Sequence, residues 1–532
     1  MNQAEIKRRQ TEEIAHILTL ITVFILGNRM AEGGITYMAA AVFSCTLVGI
    51  AVSGSLADTL GELLRSRRNK GQYKNILGMR RNALLFHSAL GLIGTLVLLL
   101  FAGVAAEKIF RISYSAFIIM ALAPAVLLRT VTGVLQGYFQ GEAAEVPRAV
   151  TSILRQLFVL GFGLLFGHIL GSYGEKVSSL LKEPNYTPMY SCMGIALGVS
   201  LAEIFIILFL TILFKGSRRS EKKLKQEGMY AGDSAWDCIL SLCTGRWPQF
   251  LTEALLFLPL FLGVVLFGRK AVEEPVRISQ YDVYAGRYLV ICGVIVFLIS
   301  ILVLPVTGKI FLHFRREEGR LARTVFQSGV HICLVHGIFL SVYVAVMASQ
   351  AAALLGGGNS ELVKQMLQGG STVIAFIPLS VFFFRFLQAM GKKYILLGAA
   401  GIADAVFVIT FWAASKTGVL SLVYGGAAGS LVLCVMSGVL SYRQLRIRMD
   451  WLTVLVLPLG AGGVSGLVCM LLGRLFSSLG GLPAILLTFI ISGLLYWILL
   501  LVLRNIKEHE LETFPGGRLI GMIGQKMHLY SL

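Results

Sequence analysis

Runs of about 18 or more apolar residues recur along the whole 532-residue sequence, and each is long enough to cross the ~30 Å hydrocarbon core of a bilayer as a helix. A membrane barrel would show ten-residue segments of alternating polarity instead, and the sequence lacks them. Only 14% of the residues are charged, against about 25% in soluble domains. A water-soluble bundle needs polar outer faces, which segments such as 482–502 lack. The pattern therefore predicts an all-α, polytopic membrane protein.

The apolar runs predict fourteen membrane-spanning helices. We place them at 12–29, 34–57, 83–104, 114–136, 148–171, 190–214, 249–268, 286–306, 326–348, 366–388, 394–413, 419–441, 451–473 and 482–503. Because fourteen is an even number, both termini are expected on the same side of the membrane. The first apolar run follows Lys7, Arg8 and Arg9 without a small-residue cleavage site, so we expect it to stay as the first helix.

The distribution of basic residues predicts the orientation. If the N-terminus is cytoplasmic, about 34 of the 47 Lys and Arg residues fall in cytoplasmic segments. The positive-inside rule then predicts cytoplasmic termini, and the longest hydrophilic stretch, 215–237, becomes a basic linker on the membrane surface. The net charge of +19 is divided among short loops, so no nucleic-acid partner is expected.

Metal and cofactor chemistry has no support in the sequence. The eight cysteines are scattered, mostly within apolar runs, and form no CxxC pair. His331 and His336 are five residues apart, which places them on different faces of a helix. We therefore expect no metal, no cofactor and no catalytic site.

The fourth and tenth predicted helices resemble each other. They read PAVLLRTVTGVLQGYFQG from Pro124 and PLSVFFFRFLQAMGKK from Pro378, so each has an early proline, then an arginine, then Leu-Gln and a small residue. Helix four of the first six thus matches helix four of the second six, which indicates a duplication with a pseudo-twofold axis along the membrane normal. The prediction is an N-terminal lobe with linker at 1–230, a second lobe at 231–445, and two further helices with a cytoplasmic tail at 446–532.

Four segments carry a resemblance to a known family. They are GVLQGYFQGEAAEVPRAVTSILRQLFVLGFG after Thr132, LQAMGKK at the end of the tenth helix, AEGGITYMAAAVF after the first helix and LGELLRSRRNKGQYKNIL after the second. The chain resembles the polysaccharide transporter and stage V sporulation protein B branch of the multidrug/oligosaccharidyl-lipid/polysaccharide exporter superfamily. It departs from that pattern at Gln136, where members often carry arginine, and in SGSLADTLGE, where helix two usually has a Gly-hydrophobic-Pro sequence.

The resemblance implies a two-lobed, V-shaped bundle, similar to that of the MATE transporters, that moves a lipid-linked oligosaccharide or peptidoglycan precursor across the membrane. We expect such a protein to act as a monomer whose partners are the diphosphate-linked glycan lipid and the surrounding membrane lipids. The residues that match the family motifs, and that we expect to form hinges, are Gln136, Gly137, Gly141, Pro147 and Gln388. Arg29 is matched to the cavity arginines that are thought to engage the diphosphate in the lipid II flippase branch.

Arginines in apolar segments are the candidates for binding an anionic headgroup. A charged side chain at the bilayer centre costs at least about 2.5 kcal/mol, so it normally faces a cavity or a partner. The planar guanidinium suits a diphosphate, and Arg29, Arg129 and Arg155 would favour one if they line one cavity. The alternative is that they lie at interfaces or pair with an acid such as Glu203 in a structural bridge.

Two carboxylates are candidates for ion coupling. Asp404 is alone in the apolar run GAAGIADAVF, and Glu253 lies in the seventh predicted helix. A buried carboxylate there would carry a coupling proton or sodium ion. The alternative for Asp404 is a structural contact between closely packed helices, because small residues surround it.

Three function classes stay open at this point. A flippase for a lipid-linked precursor agrees with the arginines in the predicted membrane interior. A cation-coupled multidrug antiporter would favour acidic and aromatic residues there. An enzyme that polymerises or ligates glycans would favour a large outer loop, whereas the longest predicted outer loops, 172–188 and 269–286, are short.

Overall fold

The computed structural model describes residues 3–216, 234–270, 272–447, 449–476 and 480–506, together with Glu510, Phe514, Gly517 and Met522. All regular elements among these residues are helical, which confirms the all-α prediction. The predicted linker at 215–237 lies outside the described residues over 217–233, and so does most of the predicted tail beyond 506.

Long α-helices make up most of the described residues. The first eight are α1 (Gln3–Gly27), α2 (Gly34–Ser53), α3 (Leu56–Asn69), α4 (Tyr73–Val104), α5 (Ser115–Leu122), α6 (Pro124–Gly141), α7 (Val146–Leu181) and α8 (Tyr186–Gly216). After the linker come α9 (Ala235–Gly268), α10 (Glu274–Val283), α11 (Leu289–Arg315), α12 (Gly319–Val346), α13 (Ala348–Leu355), α14 (Ser360–Gly370), α15 (Val373–Ala389), α16 (Lys393–Ala413), α17 (Leu420–Leu445), α18 (Leu457–Leu475) and α19 (Gly481–Val502).

The number of membrane spans agrees with the sequence. Among the described residues, 13 helices are long and apolar enough to cross a membrane. One further pair, Gly357–Gly370 with Val373–Ala389, passes the same test together but is bent by 47°. When this pair counts as one span, the total is 14, and each span covers one of the predicted helices.

Packing divides the chain into two compact units, Ile21–Asp282 and Met1–Leu20 with Val283–Leu532. Helix α9 and nearly all of α10 therefore group with α2 to α8, whereas most of α1 belongs to the other unit. The predicted lobes at 1–230, 231–445 and 446–532 follow the sequence repeat rather than this packing, and they stay a prediction.

Within Ile21–Asp282, the helices α3 and α6 pack closely because glycines line their contact. A Cβ atom on Gly137 would lie 2.9 Å from the Ala57 carbonyl oxygen, and one on Gly141 would lie 2.6 Å from Leu64 Cβ. Both distances are too short for any larger residue, so the spacing of four residues gives α6 a smooth face for α3. This packing explains two of the motif glycines in physical terms.

The other unit is held together by polar contacts between distant segments. Arg385 on α15 forms an ion pair with Glu13 on α1, and the Glu13 side chain is almost fully buried. His331 on α12 shares a hydrogen bond of 2.7 Å between its Nε2 and Asn505 Oδ1, where the chain leaves α19. Each arginine of the predicted repeat, Arg129 and Arg385, thus forms an ion pair with a buried glutamate. The two glutamates, Glu203 and Glu13, lie on helices that are not equivalent in the repeat.

Candidate anion site

One buried carboxylate joins two of the predicted arginines. Glu203 on α8 is completely buried, and its Oε1 lies 2.8 Å from Arg155 Nε on α7 and 3.1 Å from Arg129 Nε on α6. Three helices thus contribute one charged side chain each to a single cluster, the Arg129–Glu203–Arg155 triad. The ion pair with Glu203, which the sequence offered as the alternative to headgroup binding, is therefore present. It involves both arginines at once.

The triad lies within three helices that are long and apolar enough to span the membrane. At 1.5 Å per residue, Arg129 is about 18 Å from the end of α6 at Gly141, and Glu203 is about 20 Å from the end of α8 at Gly216. Arg155 is about 14 Å from the start of α7 at Val146. These three helix ends lie on the same side, since α7 follows α6 directly and runs antiparallel to α8. All three charges therefore lie between about two and four helical turns away from this common side.

The triad carries an excess of one positive charge, since two guanidinium groups share one carboxylate. Glu203 contacts each guanidinium through its Nε, and no contact of Glu203 with the terminal nitrogens of either arginine is seen among the described residues. Within the part of the chain that the structure describes, neither arginine has another hydrogen-bond or ion-pair partner. The Arg129 side chain is 46% exposed and that of Arg155 is 21% exposed. The arrangement can therefore present two oriented guanidinium groups to a phosphate or a diphosphate.

Arg29 lies apart from the triad. It is exposed in the turn that follows α1, where its backbone N–H donates to Leu26 O over 2.9 Å. That turn is at the same end of the unit as the start of α8, because Tyr37 near the start of α2 donates a hydrogen bond to Asn185. Glu203 is about 26 Å further along α8. The structure thus brings Arg129 and Arg155 together and leaves Arg29 near the opposite end of the unit from Gly141.

The other predicted motif residues have packing roles at the helix ends. Gln136 donates from Nε2 to Thr151 Oγ1 over 2.9 Å, a buried bond that ties α6 to the first turns of α7. Pro147 occupies the first turn of α7, where its missing N–H costs no helical hydrogen bond. Gln388 lies half-buried in the last turn of α15.

A break between α2 and α3 is the main local feature that the sequence did not predict, since 34–57 was placed as one continuous helix. Ser55 adopts φ 50°, in the left-handed region, so the helical path is interrupted there without a proline. Past the break, Asp58 pairs with Arg148 on α7 at 2.5 Å and accepts from Gln140 Nε2 at 3.1 Å. The strained Gly-Ser pair in SGSLADTLGE is the signal that indicates such a break.

The two predicted coupling carboxylates lie in different units. Glu253 on α9 is half-buried, and its Oε2 lies beside the break, 3.0 Å from the position of a Cβ on Gly54. Asp404 on α16 is buried, and its Oδ2 has no hydrogen-bond partner among the described residues. An unpaired buried carboxylate oxygen is costly in an apolar helix, so Asp404 retains the features that a coupling residue requires.

Comparison with known proteins supports the interpretation drawn from the fold. Stage V sporulation protein B of Bacillus subtilis (strain 168) is 22% identical to the chain over 532 residues, which cover 95% of this chain and 96% of that protein. No protein-family model matches the chain.

Two solved structures share the helical arrangement. An inward-facing MATE-family multidrug resistance transporter of the MOP superfamily aligns with a TM-score of 0.63 and 12% identity, over 84% of this chain and 98% of that one. The lipid II flippase MurJ, in its inward-closed conformation, aligns with a TM-score of 0.59 and 11% identity, over 93% of this chain and 98% of that one.

Fold and spans together define a polytopic membrane protein with the helical architecture of the MATE and MurJ transporters. The chain is similar to stage V sporulation protein B over nearly its whole length, and it shares its fold with a MATE-family transporter of the MOP superfamily and with the lipid II flippase MurJ. This similarity confirms the resemblance carried by the sequence motifs.

Proposed function

We propose that this protein is a flippase, which moves a lipid-linked oligosaccharide or peptidoglycan precursor between leaflets by alternating access. The observation that carries the proposal is the Arg129–Glu203–Arg155 triad, which holds an excess positive charge within membrane-spanning helices. A buried excess of positive charge is costly in an apolar surrounding unless it serves an anionic ligand or a structural pair.

The triad would recognise the diphosphate of the precursor. Glu203 fixes the Nε edge of both guanidinium groups, so their terminal nitrogens are oriented before the ligand arrives. Each guanidinium can make paired, charge-assisted hydrogen bonds to phosphate oxygens. The prenyl chain would stay in the surrounding lipid, since its transfer into a polar site would lose hydrophobic stabilisation. Arg29, near the other end of the unit, would meet the headgroup at a separate stage of the passage.

The finer features of the transport cycle belong to the same proposal. Both termini are proposed to face the cytoplasm of a bacterial cell, with the protein acting as a monomer in the inner membrane. Asp404 and Glu253 are proposed to couple transport to a proton or a sodium ion, because each carboxylate lies within a membrane-spanning helix. The hinge role proposed for Gly137 and Gly141 rests on the close contact of α6 with α3.

A cation-coupled multidrug antiporter is the second candidate, because MATE-family transporters have the same fold. Organic cations bind best among acidic and aromatic side chains. The triad carries the opposite charge balance, and the MurJ alignment covers more of this chain than the MATE alignment, so these observations favour the flippase.

Reconstitution into vesicles directly tests the choice between a flippase and a multidrug antiporter. The purified protein is placed in vesicles that contain a fluorescent prenyl-diphosphate sugar, and a membrane-impermeant quencher reports how much probe reaches the outer leaflet. The flippase proposal predicts exchange well above that of protein-free vesicles, and much slower exchange for Arg129→Ala. Ethidium transport without movement of the lipid probe would support the antiporter instead.

A further inference from the structure

Arg246 on α9 binds the break between α2 and α3. Its Nε donates to Gly54 O over 2.9 Å, and its two terminal nitrogens donate to Val52 O over 3.0 Å and to Ala51 O over 3.2 Å. In a continuous helix these carbonyls would accept from the N–H groups four residues later. The break removes those donors, and one guanidinium replaces three of them. Arg246 as a whole is only 6% exposed, so water does not compete for these bonds.

A histidine completes the site. His87 on α4 shares a hydrogen bond of 3.0 Å between its Nε2 and a terminal nitrogen of Arg246. Because a guanidinium can only donate, His87 Nε2 must accept, and the proton then lies on Nδ1, which faces Ala83 O at 3.1 Å. Four acceptors from two helices thus surround one planar donor, a geometry that the single ammonium of lysine cannot reproduce.

The start of α2 is held by α10, the helix that follows α9 in the sequence. Asp282, at the end of α10, accepts from the backbone N–H groups of Gly33 and Thr36, each at 2.7 Å. Gly33 has φ 92°, a conformation that favours glycine, and its N–H points at the carboxylate. Both ends of α2 are therefore held by α9 and α10, although these helices follow α2 by about 200 residues in the sequence.

The break fixes the direction in which α3 leaves α2. Leu60 and Leu64 of α3 belong to one buried cluster with Val134 of α6 and Leu242 of α9. The Asp58 pair with Arg148 then ties the start of α3 to the start of α7. The packing of α3 against α6 and its ion pair with α7 therefore depend on that direction.

We propose that Arg246 is a positioning residue for transport, which holds the α2–α3 break and so the packing of α3 against α6 and α7. The transport part of this statement rests on the proposed flippase function. Arg246 touches neither the triad nor Arg29 among the described contacts, so its replacement affects the conformational step and leaves the binding of the headgroup intact.

Two variants and one matched control test the proposal. Arg246→Ala and Arg246→Lys are compared with Arg277→Lys, because Arg277 is also buried and also donates to two carbonyl oxygens, those of Gly268 and Arg111. Hydrogen–deuterium exchange is measured over residues 54–59, and probe movement is measured in vesicles. We expect exchange there to rise about tenfold in both Arg246 variants and to be unchanged in Arg277→Lys, as the loss of bonds to buried carbonyls implies.

Transport kinetics separate positioning from a purely structural role. The maximal rate should fall about tenfold in Arg246→Lys. The half-saturating concentration of the probe should change less than about threefold, since the triad keeps its partners. Unchanged exchange at 54–59, or a loss of transport no greater than that of Arg277→Lys, would overturn the proposal. If the wild-type protein moves no lipid probe, the flippase function fails, and the exchange measurement alone then decides whether Arg246 holds the break.

Discussion

Replacing the whole triad by apolar residues separates its structural role from its binding role. The variant carries Arg129→Met, Arg155→Met and Glu203→Leu together, which preserves approximate side-chain volume and removes all three charges. A buried ion network that only supports the fold can be exchanged for apolar residues at little cost. A network that binds substrate cannot be exchanged without loss of transport.

The magnitudes follow from burial and pairing. Removing Arg129 alone should destabilise the fold by about 1 kcal/mol, because its side chain is half-exposed and Glu203 keeps Arg155 as a partner. Removing both arginines leaves the fully buried Glu203 without a partner, which should destabilise by about 3–5 kcal/mol. The triple variant removes this unpaired charge, so its stability should return to within about 1 kcal/mol of wild type or exceed it.

Unlike the stability of the fold, the binding of the diphosphate headgroup should not recover in the triple variant. Each guanidinium that makes charge-assisted hydrogen bonds to phosphate contributes roughly 1.5–3 kcal/mol. Two such groups correspond to a hundredfold or greater change in affinity, at about 1.4 kcal/mol for each factor of ten. The triple variant should therefore fold as well as wild type and yet show probe movement close to that of protein-free vesicles.

The assay pairs thermal unfolding in detergent with probe movement in vesicles. A matched control carries Arg65→Met and Glu145→Leu, which removes a pair between a half-exposed arginine on α3 and a buried glutamate just before α7. The control should keep most of its transport. A triple variant that is stable and moves the probe at the wild-type rate would refute the binding role and leave the triad as a structural bridge.

Three further predictions concern packing and polar contacts. Gly137→Leu should prevent α3 from packing on α6 and lower the yield of folded protein in size-exclusion chromatography, whereas Gly161→Leu, with open space around its Cβ position, should not. Glu13→Gln should lower the melting temperature by leaving the Arg385 charge poorly compensated, and adding Arg385→Gln should restore part of the loss; equal melting temperatures for all three proteins would contradict this. Asp282→Ala should destabilise the start of α2 by about 1 kcal/mol and speed amide exchange at 33–37; unchanged exchange would exclude a capping role.

The spans were predictable because hydrophobicity and length fix them locally. A run such as 482–503 crosses the bilayer whatever its neighbours are, and the structure places α19 at Gly481–Val502. The same reasoning identified arginines 129 and 155 as charges that need a partner. Which acid each one meets depends on how distant helices pack, and hydropathy carries no information on that. Glu203 was one of several candidates until the structure placed it between them.

Contacts over long sequence distances explain what the sequence did not reveal. Arg246 precedes an apolar run and resembles an ordinary interfacial arginine, yet its acceptors lie more than 190 residues earlier, at the end of α2. The Gly54–Ser55 pair could have indicated the break, but no local rule shows which side chain satisfies the freed carbonyls. Asp282 is similar, since a helix cap is recognisable locally only when it precedes its own helix.

The most direct test of the account is the movement of a fluorescent prenyl-diphosphate sugar across vesicles that contain the purified wild-type protein. In protein-free vesicles, an impermeant quencher reaches only the outer-leaflet half of the probe. The account predicts that quenching extends beyond this fraction in vesicles with the wild-type protein, and that inorganic diphosphate slows the movement by competing for Arg129 and Arg155. Quenching that stays at the protein-free level, in vesicles where the same protein moves ethidium, would contradict it.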